Sequence, residues 1–266
     1  MNSLDSFEAE GGLARVLGFF PHPDDEAYAV AATFKKLGLS GAQVRLVCAT
    51  DGEAGMHRGD AKIRGAELGS VRRQELLKSA ALMGAHSVEF LGLPDGGLAK
   101  LEQDFLVQAL QDQMRSFRPH LVVTLGEDGV YGHIDHVTLT HSLSRVFTNL
   151  EWSKTRLMHC VFPKRLFSPT FKMLKKRAGY MLHQDVRFEN LGVRRSDCDV
   201  IVPAGELAQV KRACIEAHAS QLLDARADTF LLPGLEDHLL QEEWFKWVSG
   251  PGFSAPSESL LEGLVC

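Results

Sequence analysis

Short apolar runs alternate with longer stretches in which apolar residues recur every three or four positions, and the alternation repeats four times within residues 15–150. Residues 15–20, 43–50, 87–93 and 120–125 have the length and the Val, Leu and Phe content of buried strands. Residues 27–37, 68–83, 101–117 and a stretch after residue 136 that runs to about 150 have the period of helices. Gly38 is expected to stop the first helix, and Pro119 breaks the third. Strand, helix and strand at this spacing form a βαβ unit, so the predicted class is α/β with a mostly parallel sheet. Further along the pattern weakens. Residues 156–162 read as a fifth strand, 163–190 as helix and loop with basic and aromatic residues, 199–202 as a short strand and 205–218 as a helix. The tail, 222–266, mixes Phe230, Trp244, Phe245 and Trp247 with acids and turn residues. It reads as an appended region that packs over the body or forms a homo-oligomer contact. The expectation is a single domain, 1–266, with that appendage.

The chemistry lies where the strands stop. The first strand ends in Pro21-His22-Pro23-Asp24-Asp25-Glu26. Two prolines can neither continue a central strand nor begin a helix interior, so they fix a bend. The carboxylates behind them suit the positive end of the coming helix. One histidine and three carboxylates therefore gather at the carboxyl edge of the sheet, where open α/β sheets bind ligands. Like charges so crowded need a cation among them or raised pKa values. His22 and Asp25, three apart, can hold one divalent ion from a single turn. A helix N-cap would account for Asp24 or Asp25, but not for a histidine between two prolines. The turn has no glycine fingerprint and its acids would repel a pyrophosphate, which excludes a dinucleotide.

Thr50-Asp-Gly-Glu53 follows the second strand and opens a long polar loop. The third strand ends in Pro94-Asp95-Gly96-Gly97, a turn signal that also brings Asp95 to the same edge. The fourth leads to Tyr131-Gly-His133-Ile-Asp135-His136, with two histidines three apart where a loop enters a helix. One of them can complete a metal site begun by His22, and the other can sit beside it. His86, His120, His141, His159 and His183 have no partners at ligand spacing and are assigned to structure or surface.

Composition narrows the picture. The 266 residues are 45% hydrophobic and 24% charged, ordinary for a globular chain with a sizeable core. A formal net charge of -5 leaves no basic face for nucleic acid or an anionic membrane. The basic cluster at 172–177 reads as a solvated helix face. Cys48, Cys160, Cys198, Cys214 and Cys266 are scattered and odd in number, without metal-finger or redox spacing, so reduced thiols and a cytoplasmic location are expected. The acidic first ten residues lack the regions of a signal peptide, and no apolar run approaches membrane-spanning length, so no membrane anchor is expected.

Pro21-His22-Pro23-Asp24-Asp25-Glu26, with Tyr131-Gly-His133-Ile-Asp135-His136 downstream, resembles the LmbE-like family, also called PIG-L deacetylases. Thr50-Asp-Gly-Glu53, Arg72-x-x-Glu75, Leu91-Gly-Leu-Pro-Asp-Gly96 and His218-Ala-Ser-Gln221 corroborate it. The family often has proline where this chain has Ile134, a position that is not a ligand. The resemblance implies a Rossmann-like sheet with helices on both faces, no dinucleotide, and the active site at the carboxyl edge. It implies His22, Asp25 and His136 as metal ligands, the metal usually being zinc with other divalent ions as substitutes. Asp24 would be the general base, and His133, protonated, would polarise the carbonyl or stabilise the oxyanion. Asp135 would orient His133 or His136, or cap the helix. Arg72 and Asp95 are candidates for substrate contact. The implied substrate is a small N-acetylated amino sugar, N-acetylglucosamine within a glycoside or conjugate.

Zinc-type hydrolysis fits the residues themselves. Three protein ligands leave a position for water, whose pKa a zinc ion lowers to about 7. An aspartate next to a ligand can then take the proton. The alternatives are another N-acyl or thiol-conjugate amide, and a metal- or sugar-binding homologue without activity. Asp24 beside an intact ligand set argues against the last, because a protein that only binds has no use for a base. Phosphate transfer lacks a phosphate-cradling glycine loop and a second full metal set.

Overall fold

The computed structural model describes residues 13–230, 234–252, 259–262 and 264. Five parallel strands form its centre: β1 (Arg15–Phe20), β2 (Gln43–Thr50), β3 (Ser87–Leu93), β4 (Leu121–Leu125) and β5 (Arg156–Val161). Two more, β6 (Val200–Pro203) and β7 (Glu242–Ser249), complete the order β3-β2-β1-β4-β5-β7-β6. The helices are α1 (Asp25–Leu39), α2 (Ala66–Met83), α3 (Gln103–Phe117), a single irregular turn α4 (Gly129–Gly132), α5 (Ile134–Val146), α6 (Ser168–Arg177), α7 (Ala208–Ala217) and α8 (Leu235–Leu239).

Every residue of β1 after Arg15 is buried, because helices cover both faces of the sheet; such strands read as continuous apolar runs. Alternate side chains feed two cores. Val16, Leu46, Leu121 and Met158 face α1, α2 and α7, whereas Leu17, Val47, Val122 and Leu157 face α3 and α5. A Cβ on Gly18 would sit 2.7 Å from the Phe34 ring, so glycine is what lets α1 lie close on the sheet centre. The first helix does not stop at Gly38 as expected. It runs on to Leu39 and turns out at Gly41, whose φ of 92° is the left-handed value that ends helices.

The tail holds the larger correction. Leu222, Phe230, Leu235, Leu239, Leu260 and Leu261 pack onto the body as expected, but residues 242–249 enter the sheet itself and form β7, inserted antiparallel between β5 and β6. The strand was hidden because Glu243 occupies a core-facing position. Its carboxylate is buried against Lys211 Nζ at 2.7 Å and accepts from the backbone N–H groups of Ala32 and Thr33. A buried charge is retained only when paired and hydrogen-bonded in this way.

From the centre, the chain goes from β1 to β2 on one side, and β4 lies on the other. That reversal opens a crevice at the carboxyl ends of β1 and β4, the switch point where α/β sheets bind ligands. Among the described residues no helix is long and apolar enough to cross a membrane, and Cys48, Cys160, Cys198 and Cys214 are free thiols. Cys266 and residues 1–12, which include the ten expected to lack a signal peptide, lie outside the described residues.

Candidate metal and catalytic centre

The bend after β1 is held in a conformation that side chains rarely adopt. Asp24 has φ 121°, and a residue in so sparse a region costs on the order of 1–3 kcal/mol. Contacts on both sides over-determine it. Arg72 donates to the Pro23 and Gly52 carbonyls and, at 3.1 Å, to Asp24 Oδ2. The Asp24 backbone N–H donates to Glu26 Oε2. Glu26 is itself fixed by Ser79 Oγ at 2.6 Å and by His218 Nε2 at 2.7 Å. Neither aspartate serves as a side-chain N-cap. Asp24 stands at the cap position without a capping bond, and Asp25 Oδ2 accepts from the His22 backbone instead.

The strained bend aims His22 and Asp25 at His136 from the far side of the crevice. His22 Nδ1 lies 3.2 Å from His136 Nε2. One Asp25 oxygen is 3.4 Å from the first nitrogen, and the other is 3.4 Å from the second. Zinc–nitrogen bonds of about 2.0–2.1 Å in a tetrahedron put neighbouring donors about 3.3 Å apart, so these two imidazoles and this carboxylate fit a divalent ion. His22 Nε2 points the other way, 3.1 Å from Asp95 Oδ1 and 3.3 Å from Asp135 Oδ2. A carboxylate on the outer nitrogen fixes the tautomer that leaves the inner nitrogen free to ligate. His133 brings a third imidazole. One nitrogen from each of His22, His133 and His136 lies within 4.8 Å of the others, and His22, Asp95 and Asp135 form a second such group.

Asp135 differs from its expected role. It orients neither His133 nor His136 and is not a cap. Its carboxylate accepts from the backbone N–H groups of Gly96 and Leu98 and contacts His22, tying the loop after β3 to the bend after β1. The cap of α5 is His133, whose Nδ1 accepts from the Asp135 backbone. Its proton therefore sits on Nε2. Burial pushes its pKa well below the usual range, and the neighbouring His136 and His22 push the same way. His133 is thus a neutral N–H donor rather than the protonated group expected from the sequence.

The other groups divide by environment. Burial raises Asp24 to about 7, partly opposed by Arg72 and reinforced by Asp25. Burial would raise Asp25 too, but His136 and His22 outweigh it and hold it below the usual carboxylate range. Asp95 is held low in the same way by His22. Burial lowers His136 to about 4, against the pull of Asp25. Burial would lower His22, yet its contacts with Asp135, Asp25 and Asp95 raise it well above 6.5.

In front lies a cavity of about 250 Å³, with His22, Asp24, Arg72, Asp95 and His133 on one side and Tyr131 and Gln221 beside them. Asp25 and His136 lie behind it, buried. Arg72 reaches the cavity, but its two terminal nitrogens go to Pro23, Gly52 and Asp24, while its Nε is buried without a partner. Asp95 likewise anchors loops, accepting from Ala54 N while its own N–H donates to Glu53. Sequence reasoning assigned no part to Glu26, Tyr131 or Gln221. The signal for Glu26 was its pairing with the His218 motif, and burial of both in one ion pair is what reveals it.

Residues 17–147 match the sequence model of the family described as PIG-L: GlcNAc-PI de-N-acetylase. A 1D-myo-inositol 2-acetamido-2-deoxy-alpha-D-glucopyranoside deacetylase of Nakamurella multipartita is 28% identical over 280 residues, covering 92% of this chain and 94% of that protein. Among solved structures, the N,N'-diacetylchitobiose deacetylase of Pyrococcus horikoshii superposes with a TM-score of 0.63 at 23% identity, over 92% of this chain and 88% of that one. A 4-carboxy-2-hydroxymuconate hydratase of Pseudomonas putida superposes with a TM-score of 0.64 at 17% identity, over 93% of this chain and all of that one (100%). These two share the fold and differ in reaction, so the chemistry of this chain has to be argued from its site.

Proposed function

We propose, from the match of residues 17–147 to the PIG-L (LmbE-like) family, that this chain is a zinc-dependent deacetylase acting on an N-acetylated amino sugar. The observation that carries the reading is the convergence of His22 Nδ1, His136 Nε2 and the Asp25 carboxylate at 3.2–3.4 Å, directly behind a cavity lined by Asp24 and His133. These three residues would hold the metal. His133 stands aside, because it caps α5 and faces the cavity. The bound ion supplies Lewis acidity and lowers the pKa of water to about 7.

The rest of the reaction falls to the chain's own groups. Arg72 holds Oδ2 of Asp24, and among the described residues nothing donates to Oδ1. With its pKa raised to about 7, Asp24 can take the proton of the attacking water and later release it. The water oxygen bonds to the amide carbon, the carbon–nitrogen bond breaks, and the proton passes from Asp24 to the leaving amine. Acetate and a free amino sugar result. The neutral His133 donates its Nε2–H to the oxygen that becomes negative; a preorganised donor of this kind is worth about 10²–10³ in kcat. Asp135 and Asp95 keep the His22 ring in place.

The test joins metal content to amine release. The protein is purified without a metal-affinity tag, its metals are quantified, and N-acetylglucosamine, its glycosides and an inositol conjugate are assayed. Roughly one equivalent of divalent metal with chelator-sensitive amine release is expected. A protein that takes up no metal even after zinc reconstitution would overturn the reading.

A further inference from the structure

We propose that the amino sugar this enzyme acts on carries an apolar substituent, and that a wall formed by residues 170–181 receives it. The inference rests on the deacetylase reading and specifies its substrate. The cavity is two-sided. Opposite the polar floor it is lined by Thr170, Met173, Leu174, Tyr180 and Met181, all from α6 and the turn Gly179–Met181 behind it. The C–H faces of a bare amino sugar or an inositol conjugate are small and would leave much of these four large apolar side chains without a complement.

Two observations point to a ligand. Tyr180 is 83% exposed and Met173 is 38% exposed, so the wall leaves its largest apolar surfaces in water at the cavity mouth. Apolar surface presented at the rim of a polar site marks an interaction surface. The wall is also registered against the reacting end. Leu182 bridges His133, and the His183 N–H donates to the Gly132 carbonyl at 2.8 Å.

Size supports a divided substrate. A volume of about 250 Å³ lies below the range of about 300–1,000 Å³ that encloses a drug-sized ligand, so the cavity takes a group of monosaccharide size. The substituent then runs along the wall toward Tyr180. It is attached at the anomeric oxygen, so that the N-acetyl group keeps its place at the catalytic end.

Amine release is compared for N-acetylglucosamine, its octyl and phenyl glycosides, its inositol conjugate, and glucosamine carrying an N-octanoyl group. The expected result is a kcat/KM about tenfold or more higher for the octyl and phenyl glycosides than for the unsubstituted sugar, carried by KM; a gain confined to the N-octanoyl compound overturns the proposal. The double variant Tyr180→Ala with Met173→Ser is expected to bring that ratio close to one. Equal kcat/KM for polar and apolar substrates, or a ratio unmoved by the double variant, overturns the proposal while leaving the deacetylase intact. Calorimetric binding of octyl glucosaminide against glucosamine tests the wall without turnover. Tighter binding of the octyl compound, with no amine released from any substrate, would uphold the wall and sink the deacetylase reading instead. Equal binding would overturn the wall on its own.

Discussion

The bend at His22–Glu26 and the wall at 170–181 face each other across one cavity and are built on opposite terms. In the bend, His22, Asp25 and Glu26 have two or more partners each, drawn from α1, α2, α5, the loop after β3 and the end of α7. The strain at Asp24 persists because those partners leave it no alternative. In the wall, the side chains are apolar or unsatisfied, and two of the largest stand in water. The bend can therefore change little without losing its geometry, whereas the wall can change residue by residue. This is what a scaffold needs if the bond-breaking step stays constant while the substrate varies.

The comparison breaks first at the metal. His136→Ala removes a ligand from the buried side, so bound metal and activity are both expected to fall to background, and added zinc should not restore them. His133→Ala should keep its metal and lose activity by about 10²–10³. If metal content shows the reverse order, the ligand set is the three-imidazole group instead of the one containing Asp25.

Asp24→Asn comes next. Asparagine keeps the shape and the Arg72 contact but cannot take a proton, so kcat is expected to drop by about 10²–10⁴ with KM and metal content near their original values. Metal loss in this variant would make Asp24 a ligand and leave the proton without an acceptor.

Smaller again is the effect of loosening the bend from behind. Glu26→Gln cannot serve Ser79, His218 and the Asp24 N–H together, and one unsatisfied buried group costs about 1–3 kcal/mol. Tm and kcat should fall together, with the metal retained. If only Tm falls, the bend is held well enough by Arg72 alone, and the picture of an over-determined floor is too strong.

The same contrast explains what could be read from the sequence. β1 and β4 were legible because helices cover both faces and burial demands an unbroken apolar run. The chemical residues were legible because His22, Asp25, His133 and His136 come in tight local spacings. What stayed hidden depends on partners far away in the chain. Glu243 looks like a surface acid until Lys211 and two α1 amides are seen around it. Asp135 looks like a helix cap until Gly96, Leu98 and His22 converge on its carboxylate. His133 looks like a cation until its burial is known. The wall left no signal, since Met173, Leu174 and Met181 in a basic segment resemble any amphipathic turn.

The smallest effect is expected from the wall itself, measured as stability. Tyr180 is 83% exposed and stands outside both cores, so Tyr180→Ser removes almost no buried area. Substitutions of that kind usually change folding free energy by no more than about 0.5 kcal/mol. Chemical denaturation should give a midpoint close to that of the unaltered protein, while Glu26→Gln under the same conditions shifts clearly lower. A large loss for Tyr180→Ser would mean that the wall is part of what holds the domain together. Its apolar surface would then owe nothing to a ligand, and the division between a fixed floor and a replaceable wall would fail.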